Sequence, residues 1–207
     1  MRAEFYYSMY NVPLSMAYAV NGKNIFGGIA IPQPILKATD ARTGLYANGS
    51  RPGSTNLGPV AGIIGDLLGK IWNLANTALG LAIGVVTLPI TLATGGHIEL
   101  GYNAIEFVGS PFVASAITLG NIQIFGQTPS AQPSAPDYPF SYHTVGDEEM
   151  HHTYQGQTLG PLYLPANLVA GIISIFSPPH PVFNGYPVDP WHQNNFMEIG
   201  PMQGRTW

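Results

Sequence analysis

Hydrophobic residues recur at helical spacing in the most apolar segment of the chain, which covers residues 57 to 94. Between Ile63 and Leu74 the apolar side chains return every three or four positions, with Asp66 and Lys70 on the opposite side. This pattern predicts an amphipathic helix at the start of the segment.

The second part of the segment, residues 71 to 94, contains no charged residue and is long enough to cross a bilayer. Two hypotheses remain open for it. Several asparagines and threonines, Pro89 and the lack of flanking cations other than Lys70 favour a buried helix-packing role. The length and the absence of charge favour membrane insertion, with the uncharged residues 159 to 177 as a partner segment.

The period of the hydrophobic pattern changes to two between residues 97 and 126, in HIELGYNAIEFVG and SAITLGNIQIFG. Alternation of this kind is typical of β-strands, and the glycines within it mark turns or bulges. The region predicts a small antiparallel meander. The alternating apolar residues are Ile98, Leu100, Tyr102, Ile105, Phe107, Ile117, Leu119, Ile122 and Ile124.

The remaining segments complete a predicted α+β fold with apolar helices. Residues 1 to 56 alternate short apolar runs with Asn-Gly turn signals, which predicts an arm of strands and loops. Residues 127 to 145, beginning QTPSAQPSAPDYPFS, predict an extended Pro-rich linker inside the domain. Helices are predicted over residues 146 to 157 and 165 to 177, so that residues 57 to 207 form a single domain.

The chain carries little charge. Charged residues make up 9% of it, against about 25% in an average protein. This scarcity favours a chain that hides much of its surface in a homo-oligomer, in a larger assembly or against a membrane. The net charge of −4 and the absence of a basic run exclude strong nucleic-acid binding.

The sequence predicts no classical signal peptide at its beginning, because Glu4 interrupts the N-terminal stretch and no clean apolar core follows. The chain also has no cysteine, which excludes disulfides and thiolate metal sites. An extracytoplasmic or secreted location is compatible with that composition.

A cluster of acidic residues and histidines stands out between Asp147 and His152. Glu148 and His152 are four residues apart, so on a helix they share one face. Two ligands at this spacing can hold a metal ion while a glutamate between them, here Glu149, activates water. The alternative is a solvated helix start, capped by Thr144 and stabilised by acidic residues in its first turn.

The run EEMHHTYQGQTLGPLYLP, residues 148 to 165, resembles zincin-like domains of bacterial surface-associated and polymorphic toxin proteins. Their motif is approximately H-E-x-x-H-T-x-Q-G-x-x-L-G-P-L-Y-L-P. The segments IWNLANTALGLAIG and NNFMEIGPMQGRTW are also similar to parts of that group, so the likeness extends over residues 57 to 207. The resemblance implies a zincin-like motif helix in the C-terminal half and either a metal-dependent peptidase or a degenerate, inactive form of one.

The same resemblance implies roles for individual residues. Glu149 would be the base that activates water, His152 would be a metal ligand, and Glu198 in the closing segment would be the third ligand. The implied cofactor is a divalent metal, with Zn²⁺ first, and the implied partner is a peptide or protein substrate.

The chain departs from the family motif at Glu148, which stands where the group has histidine. A carboxylate can bind Zn²⁺ at about 2.0–2.2 Å. An additional anionic ligand nevertheless makes bound water harder to deprotonate and moves the preference toward Mn²⁺ or Fe²⁺. His143 would replace the missing imidazole if its loop is favourable, whereas His151 points about 100° away from His152 on a helix.

A hypothesis of a different class also fits the composition. A structural subunit of a virion, a secretion apparatus or an extracellular assembly would combine few charges with Pro- and Gly-rich loops. His180 and His192 lie in such proline-rich segments and are predicted to be surface or hydrogen-bonding residues.

Overall fold

The structure is a computed structural model that describes residues 58 to 137, 143 to 178, 189 to 204 and 206. The predicted N-terminal arm, residues 1 to 56, lies outside the described residues, and so does His180.

Helices and a small sheet form the described part of the chain, and they confirm the predicted α+β fold class. The helices are α1 (Gly58–Trp72), α2 (Leu74–Ala93), α3 (Val145–Leu159), α4 (Tyr163–Ile175) and α5 (Phe196–Met202). The strands are β1 (His97–Gly101), β2 (Ala104–Ser110), β3 (Ala116–Leu119) and β4 (Ile122–Gly126). Short 3₁₀ turns cover Pro129–Ala131 and Gly160–Leu162.

The sheet is mixed, so the prediction of a purely antiparallel meander is wrong. Its strand order is β1-β2-β4-β3, and the central pair, β2 and β4, runs parallel. All five residues of β4 are buried, and a strand of this kind needs a neighbour on both edges. β3, which exposes Ile117, takes the outer position instead. Hydrophobic alternation identifies strands but carries no information on which strands pair.

The tight turn between β1 and β2 packs against the start of α3. Tyr102 and Asn103 both have positive φ, at 45° and 66°, as the two central residues of a type I′ hairpin turn do. The Tyr102 ring is buried against Gly146, and its hydroxyl lies 3.2 Å from the Thr144 hydroxyl. This contact fixes the N-terminus of α3 over the end of the sheet.

Helix α2 packs on the sheet through small and polar residues. Its buried positions are Asn76, Gly80, Gly84 and Thr91, which lie on one face of the helix. The Phe107 ring of β2 fills the space where a Gly84 side chain would stand. The apolar side chains of α2 therefore point mainly away from the protein interior.

The segment predicted as an extended linker contributes to the packed structure in its described portion. Ala131 is fully buried, and the Asp137 amide donates to the His143 carbonyl at 2.8 Å. Pro136 and Thr144 form an isolated β-bridge just before α3 begins. The segment thus leads the chain directly to the helix that carries the Glu/His cluster.

Candidate functional site

The Glu/His cluster lies at the start of α3, where a capping box fixes the helix. The Thr144 hydroxyl accepts from the Asp147 amide at 3.1 Å, and the Asp147 carboxylate accepts from the Thr144 amide at 2.9 Å. This confirms the capping role predicted for Thr144. Glu149 and His152 are nevertheless buried rather than solvated, so the capped helix start directs its next residues into the protein.

Glu198 reaches this cluster from the C-terminal tail. Asn195 caps α5 by accepting from the Met197 amide at 3.0 Å, which places Glu198 in the first turn of that helix. Glu198 Oε2 lies 2.7 Å from His152 Nε2, and Glu198 Oε1 accepts from the Asn167 amide group at 2.9 Å. The tail therefore folds back onto α3 and brings the two predicted ligands together.

Gln155 ties the tail to α3 and orients His152. Its side-chain NH₂ donates to the Met197 carbonyl at 2.8 Å and to the Thr206 carbonyl at 2.6 Å. Its carbonyl oxygen lies 3.0 Å from His152 Nδ1. With Nδ1–H donating to this acceptor, Nε2 is the nitrogen that faces Glu198 and the rest of the cluster.

Burial and ion pairing shift the pKa of His152 in opposite directions, and the same is true of the pKa of Glu198. Burial by itself lowers the pKa of His152, but the Glu198 carboxylate outweighs it and raises that pKa to about 10. Burial raises the pKa of Glu198, but the His152 charge and hydrogen bond bring it down to about 2. In the absence of a metal the two side chains form a buried ion pair.

His192 belongs to the same cluster, which the sequence did not predict. It makes the expected hydrogen bond, from Nδ1 to Asp189 at 2.5 Å, while its Nε2 lies 3.8 Å from Glu198 Oε2. One potential ligand atom each from Glu148, His192 and Glu198 lies within 4.8 Å of the others. One feature of the sequence could have indicated that His192 joins the cluster. It lies six residues before Glu198, in the same tail segment that must fold back onto α3.

Glu148 lies beside a further buried carboxylate, that of Asp137. Burial raises the pKa of Glu148, and the charges of Asp137 and Glu149 raise it further. Burial also raises the pKa of Asp137, to about 7, with help from Glu149. Within the described residues, Asp137 Oδ2 is buried without a hydrogen-bond partner. This arrangement concentrates more carboxylates than its two imidazoles can neutralise.

Glu149 is held by the edge strand of the sheet. The Thr118 hydroxyl of β3 donates to Glu149 Oε2 at 2.5 Å. Burial raises the pKa of Glu149, while the His152 charge and the Thr118 hydrogen bond oppose part of that rise. A buried carboxylate with a raised pKa has the basicity that a proton acceptor in catalysis requires.

His143 and His151 both contact the last described residues of the tail. The His143 ring packs against Gly204, and His151 Nδ1 lies 3.1 Å from the Thr206 hydroxyl. Burial lowers the pKa of His151 to about 4, with a smaller contribution from His152. The group of potential ligand atoms around Glu148 and Glu198 contains His192 and does not contain His143.

Two cavities open onto the cluster. The larger, of about 340 Å³, is bounded by Glu149, His152, His192 and Glu198 on its polar side. Its other walls are mainly apolar and come from β3, α4 and the tail; they include Ile117, Leu119, Tyr163, Leu164, Leu168 and Trp191. A second cavity, of about 240 Å³, reaches Asp137, Glu148 and Asp189. The cluster is therefore accessible to a small ion and, from the apolar side, to a larger ligand.

Comparison of the chain with protein-family models, with curated proteins and with solved structures finds no match. A proposal for the function of the site therefore rests on its geometry alone.

Proposed function

We propose that the chain is a zincin-like metal-binding domain that holds one divalent cation between α3 and α5. The observation that carries the proposal is the return of Glu198 to 2.7 Å from His152 and 3.8 Å from His192. Glu148 completes a donor set of two imidazoles and two carboxylates. The donors of Glu148, His192 and Glu198 lie within 4.8 Å of one another, and His152 joins them through Glu198; such spacing suits a cation that binds each donor at about 2.0–2.2 Å.

The surroundings of the donors support a cation rather than a purely protein ion pair. Gln155 fixes the His152 ring, and Asn167 fixes Glu198, so both ligand atoms are held in place before a cation arrives. Asp137 adds a buried oxygen that lacks a hydrogen-bond partner among the described residues. A divalent cation would offset the excess of buried carboxylate, as the two imidazoles alone cannot.

We further propose peptide hydrolysis as the reaction. A divalent cation in this position would supply Lewis-acid chemistry toward a carbonyl group. Glu149 would take the proton of the attacking water, and Thr118 would hold its carboxylate in the required direction. The apolar wall of the larger cavity would accommodate an apolar side chain of the substrate.

Metal binding is tested first, with purified full-length protein. We expect elemental analysis to find one equivalent of Zn²⁺, Mn²⁺ or Fe²⁺. We expect Glu198→Gln to lower the calorimetrically measured affinity for that ion by at least about 100-fold. Glu99→Gln, on β1 and outside the cluster, is the matched control and should leave affinity unchanged. A protein without metal, unaffected by chelator and by added ions, would contradict the proposal.

Catalysis is tested separately, because a degenerate site can bind metal without turnover. With a fluorogenic peptide library and the metal-loaded protein, we expect Glu149→Gln to lower kcat by about 100- to 10,000-fold. The same variant should keep its metal. Metal binding without any cleavage by the wild-type protein would refute the peptidase part and leave the binding part standing.

A further inference from the structure

The outer surfaces of α2 and α4 are apolar, although the interior that these helices cover is rich in polar groups. Buried polar residues of the described part include Asn76, Gln123, Gln155 and Glu198. Soluble proteins place such groups outside and apolar side chains inside. We propose that the outer faces of α2 and α4 contact the hydrocarbon of a lipid bilayer.

Helix α2 exposes apolar side chains around most of its circumference. Residues such as Leu79, Val86 and Ile90 are exposed, and Val86 has 77% of its surface accessible. At about 100° per residue, the exposed large side chains from Leu74 to Leu92 span an arc of about 200°. The remaining arc carries the small and polar residues that face the sheet.

Helix α4 repeats this arrangement. It turns Ala170, Gly171 and Ser174 inward and exposes Val169, Ile172, Ile173 and Ile175. Phe176, at its C-terminal end, has 85% of its surface accessible. The exposed arc of α4 covers about 160° by the same spacing. Two separate helices thus have the same inverted distribution of apolar and small residues, which is common for helices packed within a membrane.

Length and charge favour lipid over a protein partner. Neither α2 nor α4 contains a charged residue, and the 20 residues of α2 extend about 30 Å, the thickness of the hydrocarbon core. The stretch Leu74–Ala93 is long and apolar enough to cross a membrane, and only 22% of its most apolar window is buried. A core helix of a soluble protein would be mostly buried. A protein partner normally covers one stripe of a helix, not an arc this wide.

The chain has no cysteine, so single labels can report the surroundings of each face. Val86→Cys and Ile172→Cys place an environment-sensitive fluorophore on the outer faces of α2 and α4. Ser134→Cys, at an exposed position between the sheet and α3, is the matched control. Full-length labelled proteins are added to phosphatidylcholine vesicles, recovered by flotation and compared in vesicles with and without brominated acyl chains.

We expect the proteins to float with the vesicles, and the labels at residues 86 and 172 to lose about half of their emission in brominated lipid. The label at residue 134 should be quenched by aqueous iodide instead. Failure to float would overturn the proposal, whether the protein is then a monomer or an oligomer by light scattering. Quenching of the labels at residues 86 and 172 by iodide would also overturn the proposal, because it would show that these faces are in water. If neither iodide nor brominated lipid quenches them, the faces are covered by protein and the proposal is likewise wrong.

A charged substitution provides a second measurement in unlabelled protein. We expect Val86→Lys to lower the vesicle partition coefficient by about tenfold or more, while Ser134→Lys leaves it unchanged. An equal effect of both variants would count against the proposal. Because Val86 is exposed, the substitution removes no packing inside the protein, and circular dichroism confirms that the variant is folded.

Discussion

Glu198 illustrates how much one side chain depends on its neighbours at this site. Its carboxylate contacts His152, lies close to His192 and accepts a hydrogen bond from Asn167. Each of these groups favours the ionised form, and together they overcome a burial that would otherwise keep the carboxyl protonated. Glu198, in the seven-residue helix α5, is therefore ionised and lies close to both imidazoles of the cluster.

The ion pair between Glu198 and His152 predicts a specific pH dependence of stability for the metal-free protein. The His152 pKa is raised from 6.5 to about 10, so its contribution is complete below pH 6.5 and is lost as pH rises through 10. The Glu198 pKa is lowered from 4.5 to about 2, so its contribution is present above pH 4.5 and is lost as pH falls through 2. The pair therefore stabilises most between pH 4.5 and 6.5.

We expect Glu198→Gln to lower the free energy of unfolding by about 3 kcal/mol in that window and by much less toward either end of the pH range. Urea titrations in the presence of chelator, at several pH values, measure the difference from wild type. Glu99→Gln, at a partly exposed position outside the cluster, is the control and should give a smaller difference. A Glu198→Gln effect that is constant from pH 3 to 10 would show that the pair is not ionised as described.

At the scale of single elements, the glycines of α2 decide how closely the helix approaches the sheet. A side chain at Gly84 would come within 2.5 Å of the Phe107 ring, whereas one at Gly65 of α1 would meet nothing within 4 Å. The same substitution at these two helical positions should therefore have opposite effects.

We expect Gly84→Ala to reduce the free energy of unfolding by about 1–3 kcal/mol, because the overpacked ring must shift. Gly65→Ala should instead add about 0.5–1 kcal/mol through better helix propensity. Denaturant unfolding of the two variants side by side measures both changes. Equal effects at the two positions would mean that α2 does not pack on β2 through Gly84.

The sequence predicted most elements of the fold but not their arrangement. Helical spacing located α1, a long uncharged run located α2, and the change to a period of two located the strands. The apolar residues of the α1 pattern, such as Ile64, Leu67 and Ile71, are nevertheless exposed, so the spacing identified the helix but not its buried face. The parallel pairing of β2 with β4 was missed, since it depends on a contact between residues such as Ile105 and Ile122 that no local pattern records.

At the scale of the whole molecule, the cluster links the tail to α3, so a bound cation should stabilise the entire domain. A ligand that binds only the folded state adds about 2.7 kcal/mol at 100 times its Kd. We expect this increase with the metal identified by elemental analysis, and we expect chelator to reverse it. In Glu198→Gln the same metal concentration should add at most about 0.4 kcal/mol. Thermal unfolding with and without metal measures it; a wild-type midpoint that metal does not move would speak against a site shared by α3 and α5.

The sequence by itself determined the α+β composition, the capped start of α3 and the i,i+4 pair of Glu148 and His152, because these features depend on neighbours a few residues away. Only the tertiary structure decided which distant groups join them. His192 and Glu198 enter the cluster because Asn195 caps α5 and Gln155 holds the tail against α3. The fold also decided which face of α2 is buried: close contact with the sheet requires Gly80 and Gly84 inside, and this leaves the large apolar side chains outside.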